Sequence, residues 1–265
     1  MCVLLGDVLD GQCKRSGTTV DAMKAIVNQI IDNNSGSKDT DADSNSTGPQ
    51  WHFLVGNHDL YNYSREELYA SDYFVPSLVK SDCSPTKLYY SIVPHQGYRF
   101  LYLDPFEIST CGAINTAAEE EAKRIIAIKN PNVAANGDWL AGLSDEDKRY
   151  VPYNGAISQT QIEWLINELS ISRKNNEKVI VFSHCPIYSD CCRVSGMTWN
   201  SETILTLLQQ SDNVIAVING HDHQGGYALD KAGIHHIIPP AVLEADVEVK
   251  ARGIITVHTE AGYME

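Results

Sequence analysis

The stretch NVIAVINGHDHQGGY (213–227) joins an apolar, β-branched run to two histidines, His221 and His223, and then to a double glycine. A continuous apolar run of this length predicts a strand buried on both faces, as in a sheet covered on each side. The histidines follow the strand directly, where a loop would begin. One strand alone does not explain them, so we ask whether other apolar runs deliver similar groups to the same place.

Three further apolar runs share this pattern, and each is followed at once by a side chain that can bind a metal ion. The four runs are MCVLLGD (1–7), WHFLVGN (51–57), KVIVFSH (178–184) and NVIAVINGH (213–221), which end at Asp7, Asn57, His184 and His221. Patterns of helical period occur at 19–32, 64–79, 117–128, 158–172 and 200–211. Further strands are predicted at 99–104 and, as antiparallel strands, at 233–244 and 253–264. Strands that alternate with helices predict a layered α/β fold.

The polar groups at the strand ends are expected to lie together, because ligands bind where the carboxyl ends of α/β strands converge. One carboxylate, one amide oxygen and three imidazoles, without a thiolate, suit Mn, Fe, Zn or Co and are poor for calcium. In an extended segment the spacing of His221 and His223 lets both imidazoles face one cavity, while Asp222 points elsewhere. Five candidate ligands exceed what one structural metal needs and indicate a two-metal centre bridged by Asp7.

The composition of the chain limits the classes of molecule that the protein can bind. The 265-residue chain carries 20 Lys and Arg against 34 Asp and Glu, a formal net charge of -14, so its field repels phosphate backbones and anionic membranes. We therefore expect a small-molecule substrate, and neither nucleic acid nor a membrane. The length fits a single domain over 1–265, and a monomer is expected. The segment 33–50 holds no large apolar residue and is predicted to be a disordered acidic insertion.

The cysteines and the first residues of the chain indicate the cellular compartment of the protein. Seven cysteines at irregular spacings, an odd number, fit free thiols in a reducing environment. The opening MCVLLGDVLD (1–10) has no basic leader and reads as a strand, not as a signal peptide. Each apolar run is much shorter than a membrane span. We therefore expect a cytoplasmic protein.

Four motifs, in the order GDVLD (6–10), GNHD (56–59), SHCP (183–186) and GHDH (220–223), resemble those of the calcineurin-like metallophosphoesterases. More narrowly, GNHDLYNYSREEL, NPNV, NGAISQTQIEWL and GHDHQGGY are similar to the manganese-dependent ADP-ribose/CDP-alcohol diphosphatases. The resemblance covers nearly the whole chain apart from the acidic insertion. It implies a four-layer sandwich of two mixed β-sheets flanked by helices. It also implies a hydrolase that cleaves the pyrophosphate bond of ADP-ribose and of CDP-alcohols such as CDP-choline and CDP-glycerol.

The resemblance also implies metal-binding roles. Two Mn²⁺ ions are expected, with Mg²⁺, Zn²⁺ or Fe as alternatives. Asp7 would bridge them and His223 would serve the first ion. The second ion would be completed by Asn57, His184 and His221.

By the same resemblance, His58 would be the catalytic histidine beside the leaving oxygen, and the Asp59 carboxylate would orient it. ADP-ribose would give AMP and ribose 5-phosphate, and a CDP-alcohol would give CMP and a phosphoalcohol. Trp199 is open to two interpretations, since it could stack on the base of the substrate or belong to the core.

The resemblance is incomplete at the start of the chain. The family's first motif, Asp-x-His or Asp-x-Gln, lies on a strand upstream of GDVLD, and Met1 stands where the second strand is under way. We therefore expect the first strand of the sheet and two ligands of the first metal to be missing. The favoured explanation is an incomplete sequence of an intact enzyme. The alternatives are an inactive truncated form, at most a weak metal-binding or interaction protein, and another metallophosphoesterase activity.

Overall fold

The computed structural model describes residues 1–26, 51–71, 74–75, 78–135 and 137–241, and the backbone of the pairs 258–259 and 262–263. The predicted acidic insertion at 33–50 and most of the predicted strand at 253–264 lie outside the described residues. Of the helices in the described ranges, none combines the length and the apolar character needed to cross a bilayer.

Short strands alternate with helices along the described chain. The strands are β1 (Cys2–Leu4), β2 (Trp51–Phe53), β3 (Tyr90–His95), β4 (Tyr98–Tyr102), β5 (Ile108–Ser109), β6 (Gly155–Ala156), β7 (Lys178–Ser183), β8 (Val214–Asn219), β9 (Gly226–Leu229), β10 (His235–Ile238), β11 (His258–Thr259) and β12 (Gly262–Tyr263). The helices are α1 (Cys13–Ser16), α2 (helical residues 19–26), α3 (Asn57–Asn62), α4 (Arg65–Ala70), α5 (Thr116–Lys129), α6 (Gln159–Lys174) and α7 (Ser201–Gln209).

The largest sheet has six strands in the spatial order β3-β4-β7-β8-β10-β9. The four central strands are parallel, and the edge strands β3 and β9 each run antiparallel to their neighbour, so the sheet is mixed. The prediction of an antiparallel strand at 233–244 is therefore only half right in its described residues: β10 is antiparallel to β9 but parallel to β8. A second sheet is formed by β1 and β2, which pair in parallel with Leu4 opposite Phe53.

Strand β7 shows why these runs are apolar throughout. Its side chains alternate between the two faces of the sheet, as the period of two requires. Ile180 and Phe182 join a core cluster with the β1–β2 sheet, whereas Val179 and Val181 join a second cluster with helices α6 and α7. The mixed sheet is thus covered by a sheet on one face and by helices on the other. This arrangement confirms the predicted α/β class, with sheets flanked by helices.

Several helices differ in length from the sequence prediction. Among the described residues of the pattern at 64–79, only α4 is an α-helix, and it ends at Ala70. Ser158 caps α6, because its hydroxyl accepts a hydrogen bond from the Gln161 backbone N–H. The Gln161 side chain does not complete a capping box. Its amide group instead donates to the Asp104 carbonyl and to the Glu107 carboxylate, and so ties α6 to the loop after β4.

Candidate metal centre and catalytic site

Four strands deliver polar side chains to one place, as the sequence predicted. Asp7 follows β1, Asn57 opens α3 just after β2, His184 follows β7 and His221 follows β8. His184 lies at the centre of the group, and its Nε2 is 3.2 Å from Asp7 Oδ2, 3.3 Å from Asn57 Oδ1 and 3.1 Å from His221 Nδ1. Asn57 and His184 are almost fully buried. The group therefore forms a compact cluster at the strand ends.

His184 and His221 each have a hydrogen-bond partner on the ring nitrogen that faces away from the cluster, and these partners determine which nitrogen carries the proton. His184 Nδ1 is 2.6 Å from the Leu5 carbonyl oxygen, which can only accept, so Nδ1 donates and Nε2 carries a lone pair. His221 Nε2 is 2.9 Å from Asn154 Oδ1, and the Asn154 amide nitrogen donates to the carbonyls of Arg149 and Ser195. His221 Nε2 therefore donates, and its Nδ1 lone pair faces His184.

Three lone-pair atoms, Asp7 Oδ2, Asn57 Oδ1 and His221 Nδ1, thus lie 3.1 to 3.3 Å from the lone pair of His184 Nε2, with no proton between them in the neutral tautomers. Such a group is repulsive unless a cation sits in it, and a carboxylate, an amide oxygen and two imidazoles are a suitable donor set for a divalent transition metal. The ligand atoms of Asp7, His184 and His221 lie within 4.8 Å of one another. In the part of the chain that the structure describes, this is the one group of three or more His, Cys, Asp or Glu so arranged. The residues therefore fit a bound metal ion.

The electrostatics of the cluster show the same need for positive charge. Burial and the charge of His184 lower the pKa of His221 to about 3. Burial alone would raise the pKa of Asp7, but His184 brings it well below its usual value. Burial opposes a charge on His184 itself, yet the neighbouring Asp7 carboxylate raises the pKa of His184. A metal ion in the cluster would therefore compete with a proton for His184 Nε2.

Asp59 supports the cluster in a way that differs from the expectation. Its buried carboxylate accepts hydrogen bonds from the backbone N–H groups of Gly56, Asp7 and Val8, at 2.9, 2.9 and 3.0 Å. It therefore fixes the backbone that carries Asp7, which has a φ of 53°. Burial and the charge of Asp7 raise the pKa of Asp59 to about 7. We expected Asp59 to orient the His58 ring, but its carboxylate is bonded to these backbone N–H groups, and His58 Nδ1 accepts from the Gly11 backbone N–H.

The His58 ring is oriented by a backbone group instead. Gly11 N–H donates to His58 Nδ1 at 2.8 Å, so the neutral ring carries its proton on Nε2. The His58 backbone N–H donates to Asp7 Oδ1 at 2.8 Å and so links the ring to the cluster. His58 lines the same cavity as the cluster and stands next to Tyr61, with ring centroids 5.4 Å apart. The ring is thus placed to donate a proton into the cavity.

Glycine is required where the chain segments meet. A Cβ atom on Gly56 would lie 2.1 Å from Asp7 Oδ1, and one on Gly6 would lie 2.4 Å from His184 Nδ1. These contacts are far shorter than real Cβ contacts. The glycines of the GDVLD and GNHD motifs therefore allow the strand ends to approach closely enough for the cluster to form.

His223 lies outside the compact cluster that the other four predicted ligands form. It is exposed, lines the cavity, and is outside the group of ligand atoms within 4.8 Å. The expectation of an extended segment is also wrong, because His221 has a φ of 66° and the chain turns there. Both histidines line one cavity, as predicted, but Asp222 does not point elsewhere: it lines the same cavity and accepts from the Arg193 backbone N–H. His223 remains a candidate ligand that stands apart from the compact cluster.

A cavity of about 260 Å³ opens over the cluster. Its walls include residues that the motifs did not identify: Tyr61, Tyr153, Arg193, Ser195 and Gly196. Tyr61 lies on α3, next to the GNHD motif, whereas the other four lie between the regular strands and long helices, with no regular spacing from the motifs that would have identified them. Trp199 is 3% exposed and packs in a separate core cluster with α5, outside the residues that line this cavity.

Comparisons with known proteins agree with this geometry. The profile of the family described as calcineurin-like phosphoesterase matches residues 2–225. The chain is 33% identical to the manganese-dependent ADP-ribose/CDP-alcohol diphosphatase of Arabidopsis thaliana, over 96% of this chain and 74% of that protein. It is 31% identical to the protein of the same name from Homo sapiens, over 98% of this chain and 73% of that protein. A crystal structure of a dimetal phosphatase from Danio rerio superposes with a TM-score of 0.78 and 28% identity, over 92% of this chain and 74% of that one.

Proposed function

Because this chain belongs to the calcineurin-like phosphoesterases, a family of hydrolases, we propose that it cleaves the pyrophosphate bond of ADP-ribose and of CDP-alcohols with the help of Mn²⁺. ADP-ribose and water would give AMP and ribose 5-phosphate, and CDP-choline would give CMP and phosphocholine. The observation that carries the proposal is the cluster of three lone-pair atoms around the lone pair of His184 Nε2, which needs a cation. The names of the relatives support the choice of metal and substrate.

In this proposal Asn57, His184 and His221 would hold one ion, His223 would contribute to the other, and Asp7 would serve both. The donor set contains no thiolate and suits manganese. When bound, divalent cations neutralise charge on the phosphoryl oxygens and favour attack by water at neutral pH. The tautomers imposed by Leu5 and Asn154 keep the coordinating nitrogens free of protons.

His58 performs the proton transfer in this proposal. Its Nε2 carries a proton in the neutral ring, because Nδ1 accepts from Gly11. Donation of that proton to the departing phosphate oxygen would prevent a second full charge from building up there. Asp59 does not touch the substrate. It holds the Asp7 backbone through three N–H bonds, so it acts as a positioning residue.

The test is release of AMP from ADP-ribose by the purified chain with Mn²⁺. We expect activity that is lost with a chelator and falls by about a hundredfold or more in His58→Ala. His95→Ala is the matched control, since His95 is an exposed histidine on β3, outside the residues that line the cavity. Circular dichroism would confirm that both variants are folded.

A substrate panel separates the alternatives. CDP-choline and CDP-glycerol test the range of nucleotide diphosphates, while bis-p-nitrophenyl phosphate and p-nitrophenyl phosphate test simple esters. Preference for the simple esters over ADP-ribose would reassign the chain to another activity of the family. A folded chain that hydrolyses none of them would contradict the proposal and favour a binding role.

A further inference from the structure

Arg193 is the permanent positive charge of the cavity wall. The described residues that line the cavity include two aspartates, three histidines and one arginine, and no lysine. The chain as a whole carries a formal charge of -14, which repels an anionic substrate. A fixed cation beside the cluster therefore has a large local effect on where an anion can bind.

Asp222 holds this arginine in place. The buried carboxylate of Asp222 accepts from the Arg193 backbone N–H at 2.7 Å, from Nη2 at 2.8 Å and from Nε at 3.1 Å. A two-point contact of this kind fixes the plane of the guanidinium as well as its position. The Arg193 side chain is nevertheless 58% exposed, so an anion in the cavity can reach it.

The segment that carries Arg193 is also fixed against the cluster. Asn154 Nδ2 donates to the Ser195 carbonyl at 2.7 Å, and Asn154 Oδ1 accepts from His221 Nε2 at 2.9 Å. Gly196 lies so close to His221 that an added Cβ would be 3.3 Å from His221 Cδ2. Arg193 therefore stands at a set distance from the candidate metal ligands and does not belong to a freely moving loop.

We propose that Arg193, held by Asp222, binds the second phosphoryl group of the substrate, the one that is not attacked. This inference rests on the proposed function, because it assumes that the attacked phosphoryl group lies at the Asp7, His184 and His221 cluster. It makes Arg193 a specificity-determining residue that favours ligands with two linked phosphoryl groups over phosphomonoesters and simple diesters. A planar guanidinium suits this task because it can offer paired N–H donors to phosphate oxygens.

The test measures equilibrium binding, so that it does not depend on turnover. The probes are α,β-methylene-ADP, which has two phosphoryl groups and resists hydrolysis between them, and AMP, which has one. Titration calorimetry with Mn²⁺ present would compare the wild-type chain, Arg193→Gln and Arg193→Lys. Arg124→Gln is the matched control, because Arg124 is 62% exposed and paired with Glu121 on α5, outside the cavity wall.

We expect Arg193→Gln to raise the Kd for α,β-methylene-ADP by about tenfold to a hundredfold, the range for a lost charge-assisted hydrogen bond. The Kd for AMP should change by less than about threefold, and Arg193→Lys should recover part of the affinity because it keeps the charge. Arg124→Gln should leave both constants unchanged. This pattern would support the inference even if the chain hydrolysed no nucleotide.

Three results would overturn the inference. Equal losses for both probes in Arg193→Gln would show a general structural effect. No loss for α,β-methylene-ADP would show that Arg193 does not contact the second phosphoryl group, and hydrolysis of ADP-ribose by that variant at the wild-type rate would leave the proposed function intact. Failure of the wild-type chain to bind α,β-methylene-ADP more tightly than AMP would exclude the diphosphate as the preferred ligand class.

Discussion

Asp59 shows how a single buried carboxylate can shape a site without touching its ligands. Its two oxygens accept three backbone N–H groups and so fix Gly56, Asp7 and Val8 at the meeting point of two strands. The GNHD motif marked this residue as functional, but the sequence could not reveal its partners. The roles of Asp59 and His58 depend on which backbone N–H groups approach their side chains. Several of these groups belong to residues 7–11, which are distant in sequence and reach the site only when the chain folds.

The first prediction concerns Asp59. Asp59→Asn keeps the size of the side chain but leaves one acceptor oxygen for three donors, so we expect a loss of about 2 to 3 kcal/mol in the free energy of unfolding. Urea denaturation would measure it. Asp212→Asn, at an exposed residue, is the control and should change the stability by less than about 0.5 kcal/mol. Equal stability of Asp59→Asn and the wild type would show that the three backbone bonds contribute little.

The second prediction concerns Glu107, which lies in a buried network away from the cluster. Burial and the charge of Asp104 raise the pKa of Glu107 to about 7. The folded state therefore holds a proton on Glu107 that the unfolded state has already lost, in the window between the usual glutamate pKa and about 7. Its contribution to stability is present below that window and is lost as the pH rises through it.

Glu107→Gln should remove this dependence, because the glutamine oxygen can still accept a hydrogen bond from the Ser158 N–H or from the Gln161 amide. Melting temperatures at pH 5.5 and 8 would measure it. We expect the fall in melting temperature between these values to be smaller by a few degrees in the variant than in the wild type. An identical fall in both proteins would show that Glu107 is charged throughout the range.

At the scale of elements, the strands were the predictable part of the fold. Apolar runs such as KVIVFSH predicted β7 because both faces of the strand are buried, and the residues that follow the runs predicted four members of the cluster. Helix lengths were less predictable. In its described residues the pattern at 64–79 is helical over α4 only, since local apolar spacing does not show where the chain must leave a helix to pack. Asn154 and Arg193 could not be predicted, because loops bring them to the site from distant positions.

The third prediction tests the junction of β2 and α3. Gly56→Ala would place a Cβ atom 2.1 Å from Asp7 Oδ1, so the β1 end and the GNHD turn must move apart. We expect Mn²⁺ affinity and AMP release to fall by at least about tenfold, because positions in such sites must hold to about half an ångström. Gly137→Ala, where an added Cβ meets nothing within 4 Å, is the control and should match the wild type. Full activity in Gly56→Ala would show that the junction tolerates movement.

At the scale of the whole molecule, the cluster ties together two sheets. Asp7 and Asn57 come from the β1–β2 sheet, whereas His184 and His221 come from the six-stranded sheet. A cation bound by all four would therefore link the sheets and stabilise the folded state. The chain's charge of -14 adds a general attraction for cations, but that attraction does not depend on any single histidine.

The fourth prediction follows from this linkage. Mn²⁺ at about a hundred times its Kd should stabilise the fold by about 2.7 kcal/mol and raise the melting temperature by roughly 5 to 10 °C. Differential scanning fluorimetry would measure the shift. His184→Ala should abolish it, whereas His95→Ala should retain it. A rise of equal size in all three proteins would show that Mn²⁺ acts through the overall charge.

The most direct measurement is the number of Mn²⁺ ions bound per chain, from electron paramagnetic resonance of a Mn²⁺ titration. The wild-type chain should bind at least one ion tightly, and His184→Ala, shown to be folded by circular dichroism, should lose it, because His184 Nε2 lies at the centre of the cluster. Tight binding that survives in His184→Ala, or its absence from the wild type, would contradict the assignment of the strand-end cluster as a metal centre.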